Sequence, residues 1–302
     1  MMPADLTPPT TSDRLLAALA HAGGLLPGVG IVVPPLVWAA RRERSPYVRG
    51  QSLQALTYQT CQAVAVVLFA LLWLIAFVIT LGPLVRRLIN QLHPNDAVLT
   101  PFTVLGVAFA VFWGLLLLPA LIGGGAALLG RDFRYPFFGR KLDELITSEA
   151  GEDRLVAALG HAAVFINLTG LVVPLTAWLV GRQRSGWLHF QMLQALIFQG
   201  VFLVISLPLG VFMVLMGLLP LPLMASINTQ SQASAVMTAM LIALLVLLAV
   251  LGVLLVVALF QMLGAVAALR ALKGRDYHYP LIGRWVENYL KKNRHGAAAP
   301  DA

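Results

Sequence analysis

Long apolar runs separated by short charged loops dominate the chain. Stretches without Asp, Glu, Lys or Arg cover residues 50–85, 97–130 and 185–269, the last with 85 residues. About 20 apolar residues cross a hydrocarbon core, so the first two stretches each hold one span and the third holds two spans and a turn. The pattern predicts long helices at about 53–82, 100–130, 192–222 and 237–271. Two further apolar segments, 15–40 and 155–181, are broken in the middle. LLPGVGIVVPP puts Pro27, Gly28, Gly30, Pro34 and Pro35 inside the first, and Asn167, Thr169, Gly170 and Pro174 hold the corresponding places in the second. Pro and Gly interrupt helices, and half-segments of roughly 10 to 14 residues are too short to span.

The chain is a tandem duplication. Residues 13–59 align without a gap to 153–199, with 22 of 47 positions identical. The shared positions include His21/His161, Gly30/Gly170, Pro34/Pro174, Trp38/Trp178, Arg44/Arg184 and Gln54/Gln194. GRDFRYPFFGR at Gly130 returns as GRDYHYPLIGR at Gly274, with 7 of 11 identical. The organisation read from this is a disordered N-terminus at 1–12, a first membrane repeat at 13–140, an acidic linker at 141–152, a second membrane repeat at 153–290 and a disordered tail at 291–302. The polar, uncharged stretch around Asn228–Ser234 is read as the loop inside the second repeat. The fold class is an all-α integral membrane protein of two pseudo-symmetric repeats. Each repeat is a re-entrant or broken helical segment followed by two transmembrane helices.

Charge decides between two topologies. If the first segment of each copy spans, the copies are inverted, and the 21 Lys and Arg divide 9 against 12. If it dips in and returns, all of them except Arg86 and Arg87 share one face. Basic residues collect on the cytoplasmic side, so four spans and two hairpins are expected, with both termini and the Arg-rich loops cytoplasmic. The turn of such a hairpin must lie against protein or water.

Composition narrows the class further. The chain is 59% hydrophobic and 11% charged, against about 25% charged in soluble domains. Its net charge of +8 belongs to loops beside spans, and no soluble part carries a nucleic-acid site. MMPADLTPPTTSD carries no basic residue before its final Asp, unlike a secretory leader. The single Cys61 excludes an internal disulfide.

Three groups of residues could carry chemistry. His21 and His161 occupy equal positions in apolar segments and could form a paired metal or proton site. With no second ligand at metal-site spacing, they are read as structural, capping the hairpin break or bonding a nearby Gln or Trp. Gln51, Gln54 and Gln59, with Tyr58 and Gln62, lie on one helical face, as do Gln191, Gln194 and Gln199. Phe198 and Phe202 replace Tyr58 and Gln62 in the second copy. These stripes are read as interhelical hydrogen-bonding groups, with a polar path as the alternative. GRDFRYP and GRDYHYP resemble interfacial anchors, in which Arg131, Arg134 and Arg275 could contact lipid headgroups. The Gly123–Gly125 cluster permits close helix packing. No Asp or Glu falls within a span, and no P-loop, HExxH or GxSxG is present. No catalytic, metal or cofactor site is assigned.

One set of elements recurs in both copies: a His-bearing first segment, Gly30–Pro34–Trp38, Arg44–Ser45 before the run Gln54, Ala55, Leu56 and Gln59, and a closing Gly130–Pro136. These resemble a bacterial membrane "domain of unknown function" family related to the chloroplast inner-envelope Tic-type import component. The resemblance covers nearly the whole chain, once per copy, whereas family members usually carry one such domain. It implies an inner-membrane location and a link to protein translocation. The resulting expectation is a non-enzymatic scaffold or translocon-like assembly factor, with a small-solute or lipid transporter as the alternative. The lipid bilayer is the expected partner, other membrane proteins are a second class, and nucleic acid and cofactors are not expected.

Overall fold

The computed structural model describes residues 8–90, 96–218 and 232–296, and no strand occurs among them. Helix α1, Thr11–Ala22, begins at a reciprocal cap. The Thr10 hydroxyl accepts from the Asp13 amide at 3.1 Å, and the Asp13 carboxylate accepts from the Thr10 amide at 3.3 Å. A 3-10 turn at Gly23–Leu25, Gly28 at φ 86 and a second 3-10 turn at Gly30–Val32 reverse the chain. It returns as α2, Val33–Arg41, whose first turn accommodates Pro34 and Pro35. The two arms touch so closely that a Cβ on Gly30 would lie 1.8 Å from the Gly23 carbonyl oxygen. Only glycine fits there.

The second copy repeats the device. Helix α6, Glu149–Ala162, passes through a 3-10 stretch at Ala163–Leu171 into α7, Val172–Arg184. Asn167 breaks the stretch at φ 54, and a Cβ on Gly170 would sit 2.2 Å from the Ala163 carbonyl oxygen. Among the described residues, five helices are long and apolar enough to cross a membrane: Pro46–Leu84, Leu99–Leu128, Glu149–Arg182, Gly186–Leu215 and Leu244–Leu272. The third is folded back on itself. Arg184 donates to the Glu149 carbonyl and the Glu152 carboxylate, both at 3.1 Å. A straight helix would hold those residues about 50 Å apart. In the first copy Arg41 likewise reaches Ser12 at 3.5 Å. Both broken segments are therefore hairpins whose ends lie at one level, leaving four straight spans.

Those spans are α3, Pro46–Ile89, α4, Asp96–Leu128, α8, Gly186–Leu218, and α9, Gln232–Leu272. All four exceed the lengths read from the sequence. Helices α3 and α4 run antiparallel: the Tyr47 hydroxyl donates to Ala127 O, Tyr58 to Leu116 O, and the Trp73 indole to Leu105 O. Hairpin arm α1 lies along the end of α4, where a Cβ on Gly123 would meet His21 Nδ1 at 2.9 Å.

The copies point the same way. Their tips meet where the Thr169 hydroxyl donates to the Gly28 carbonyl. Their charged ends meet where the Trp38 indole donates to Glu152 Oε1 at 2.8 Å, with Arg49 3.9 Å from the same carboxylate. A shared core joins them, with Trp38, Leu53 and Leu56 packed among Leu155, Leu159, Val173, Leu188 and Met192.

Three expected segments differ. Residues 141–152, read as an acidic linker, are occupied by α5, Gly139–Ile146, and the start of α6, with Leu142 and Glu152 buried. The amphipathic helix α10, Ile282–Gly296, continues through residues 291–296, which the sequence places in a disordered tail. Residues 8–12 are also engaged, since Pro9 O accepts from Arg14 at 3.1 Å. The rest of the expected disordered ends, 1–7 and 297–302, and most of the loop read around Asn228–Ser234 lie outside the described residues.

Candidate functional site

Each hairpin is locked to its own spans by a side-chain relay. In the first copy His21 Nε2 and Gln51 Oε1 are 2.8 Å apart, and His21 Nδ1 and the Tyr135 hydroxyl are also 2.8 Å apart. Gln51 Nε2 donates to the Asp132 carboxylate at 2.9 Å and to Phe133 O at 3.2 Å. Those two acceptors fix which end of the amide is oxygen. Gln51 Oε1 can only accept, so His21 Nε2 carries the proton. Nδ1 is then the acceptor of a neutral imidazole, and Tyr135 donates to it. Burial pushes the Tyr135 and Tyr279 hydroxyls well above the ordinary tyrosine range, so both stay protonated.

The second copy reproduces the arrangement. His161 Nε2 lies 3.0 Å from Gln191 Oε1 and Nδ1 lies 3.1 Å from the Tyr279 hydroxyl. Gln191 Nε2 donates to Tyr277 O at 3.4 Å, a backbone carbonyl in place of the Asp132 carboxylate. Both histidines are fully buried.

The remaining glutamines complete the lock. Gln54 accepts from the Tyr135 amide at 3.2 Å and donates to Asp143 at 3.1 Å. Gln194 accepts from the Tyr279 amide at 3.2 Å and donates to Tyr277 O at 3.0 Å. Deeper along the spans, Gln59 donates to Ala20 O at 2.9 Å and Gln199 to Gly160 O at 2.7 Å. Gln62 adds a bond to Gly24 O at 3.1 Å. The glutamines, and not the histidines, thus serve carbonyls freed at the hairpin breaks. Of the structural alternatives read for the histidines, a cap on the break or a bond to a nearby Gln or Trp, the arrangement is the bond to glutamine. Tyr58 stacks on Tyr135 and Phe198 on Tyr279, with ring centres 4.2 and 3.9 Å apart.

All eight expected polar positions, His21, His161, Gln51, Gln54, Gln59, Gln191, Gln194 and Gln199, face protein. The three arginines do not act together. Arg134 pairs with Asp132 at 3.0 Å and Asp143 at 2.7 Å, while Arg131 and Arg275 are exposed. Burial raises the Asp143 pKa against the opposing pull of Arg134. Sequence reasoning passed over Tyr135, Tyr279 and Asp132, although the repeated GRD-x-x-YP was the available signal. It also passed over Glu152, whose apparent place in a polar linker concealed its burial.

Hollows lie between the copies. One of about 220 Å³ sits at the tips, lined by residues that include Gln59, Gln62, Trp113 and Asn167. A polar cleft of about 640 Å³ opens on the charged face beside Arg42, Arg49 and Glu149. Gln51, Gln54, Gln191 and Gln194 line neither. Among the described residues no three His, Cys, Asp or Glu side chains gather as a metal-holding group.

A family model matches residues 12–142 and again 152–286. The chain belongs to the magnetosome magnetite crystal formation protein family. The two matched regions coincide with the two structural copies, and each contains one complete His–Gln–Tyr relay. The match places the chain in a bacterial membrane family with two repeats and carries no relation to the import component named by the sequence resemblance. No curated protein and no solved structure matches the chain.

Proposed function

We propose that this protein is a non-enzymatic membrane scaffold that takes part in magnetite crystal formation at the magnetosome membrane. The observation that carries this reading is the doubled relay. Every member of the His–Gln–Tyr set is spent on partners inside its own copy, which is the use expected of structural locks and not of groups awaiting a substrate. The family description supplies the process. The charged face is proposed to be cytoplasmic, supported by the gathering there of all Lys and Arg except Arg86 and Arg87. The proposed membrane is the inner membrane or vesicles drawn from it.

A transporter path would need the glutamine stripes to face a continuous cavity, and all six of Gln51, Gln54, Gln59, Gln191, Gln194 and Gln199 are instead hydrogen-bonded to partners beside their own spans, with Gln59 alone of the six lining a hollow. The translocon-like role rests on the sequence resemblance alone.

The test is complementation. In a magnetite-forming bacterium that lacks its own member of the family, expression of this chain restores crystal size and number, read by electron microscopy. A His21→Asn, His161→Asn double variant present at lower level restores them less. Crystals unchanged by expression of stable, membrane-inserted protein would contradict the proposal.

A further inference from the structure

The molecule is wider at one end than at the other. At the level of the hairpins each copy presents four helices side by side: α1 to α4 in the first, and α6 to α9 in the second. The first hairpin turns a little beyond the level where Gln62 donates to Gly24 O, its Pro27 and Gly28 lining one hollow with Val66 and Val67. Gln62 is 11 residues beyond Gln51, or about 16 Å along the helix, roughly half of a hydrocarbon core about 30 Å thick. Beyond that level only α3 with α4, and α8 with α9, continue. The first pair is held by its own aromatic contacts, Phe69 on Phe112 and Phe77 against Phe102, and large apolar side chains such as Leu72, Ile79, Val204 and Leu251 face outward there.

A second observation thickens the same end. Phe137 and Leu281 hold equivalent places after the repeated Tyr-Pro. Both adopt positive φ, 73 and 66, and both are almost fully exposed at 103% and 88%. A left-handed backbone is costly for such residues, so retaining an apolar side chain there in both copies points to use at the surface. Basic residues accompany each corner, Arg140 and Lys141 beside Phe137, and Arg284 beside Leu281. Helix α10 adds Trp285 stacked on Tyr289, both more than 45% exposed.

We propose that the protein is a one-sided wedge that recognises strongly curved membrane, with the hairpin end in the outer, convex leaflet. Two hairpins take up area in one leaflet only, and the two apolar corners insert shallowly into the headgroup zone of that leaflet. Shallow amphipathic insertion beside basic residues is sensitive to curvature and to anionic lipid. The occupant of the corners is thus the lipid surface of the protein's own membrane. The inference rests on the single-faced hairpin topology, not on the role in crystal formation, and thiol labelling at Arg44→Cys tests that topology separately.

The experiment uses full-length, fluorescently labelled protein in phosphatidylethanolamine–phosphatidylglycerol vesicles of about 50 nm and about 400 nm diameter. Orientation is read from the accessibility of Arg44→Cys in a Cys61→Ala background. With the charged face outward, protein density per membrane area is expected to be severalfold higher on the small vesicles. A Phe137→Asn, Leu281→Asn pair lowers that ratio, while thermal melting shows the fold intact because Asn tolerates positive φ. Equal density on both sizes, or enrichment of the inward-facing orientation on small vesicles, would overturn the wedge.

Discussion

At the residue scale, the histidines act through their tautomer. A neutral imidazole protonated on Nε2 offers one donor and one acceptor, and Gln51 and Tyr135 take one each, as Gln191 and Tyr279 do in the second copy. Tyr135→Phe or Tyr279→Phe removes the donor and leaves a buried ring nitrogen unsatisfied, a loss of about 1–3 kcal/mol, read as a lower melting temperature in detergent. His21→Asn is expected to cost at least as much, since the shorter side chain cannot reach both partners. Elemental analysis of purified protein is expected to show no stoichiometric metal. One metal per chain, lost on either histidine substitution, would contradict the structural role. The sequence singled out His21 and the glutamine stripe because polar residues in apolar runs stand out. It did not pair them with Tyr135, which is 114 positions away, because no local spacing encodes a contact that the reversal of α3 against α4 creates.

At the element scale, the hairpins depend on close backbone approach and on one buried carboxylate. Gly30→Ala or Gly170→Ala drives a methyl group into the opposite arm at 1.8 or 2.2 Å, so either should lower expression and melting temperature more than Gly28→Ala, whose Cβ meets open space. Glu152 joins Trp38 of one copy to Arg184 of the other. Glu152→Ala leaves Arg184 with Glu149 and Asp153 but takes the acceptor from the buried Trp38 indole, and is expected to cost about 1–3 kcal/mol. Combined with Arg184→Ala it should cost less than the sum of the two single changes, because the two side chains share one network. A double-mutant cycle by thermal melting checks this, and strict additivity would show that the two side chains do not form one network. The hairpin breaks were legible, since Pro27, Gly30 and Asn167 interrupt otherwise apolar segments. The helical character of 141–152 was hidden by its charge, which reads as solvated until α5 and α6 are seen folded against the core.

At the scale of the whole molecule, the architecture is a duplicated hairpin-plus-two-spans unit whose copies stand parallel, with the charged ends together and the tips together. Repeat and charge split were both readable in the sequence, because each is a property of order along the chain. The shape was not, because the wedge arises only when the hairpin depth is compared with the span length in three dimensions. The parallel arrangement is the claim on which the wedge and the single charged face stand. Its most direct test is thiol accessibility in right-side-out inner-membrane vesicles. Single cysteines at the exposed positions Arg44 and Arg182 and at Asn90 are introduced in a Cys61→Ala background and exposed to an impermeant maleimide. The account predicts that Arg44→Cys and Arg182→Cys react only after the membrane is opened, while Asn90→Cys reacts in intact vesicles. Labelling of one arginine site but not the other in intact vesicles would place the copies in opposite orientations and contradict it.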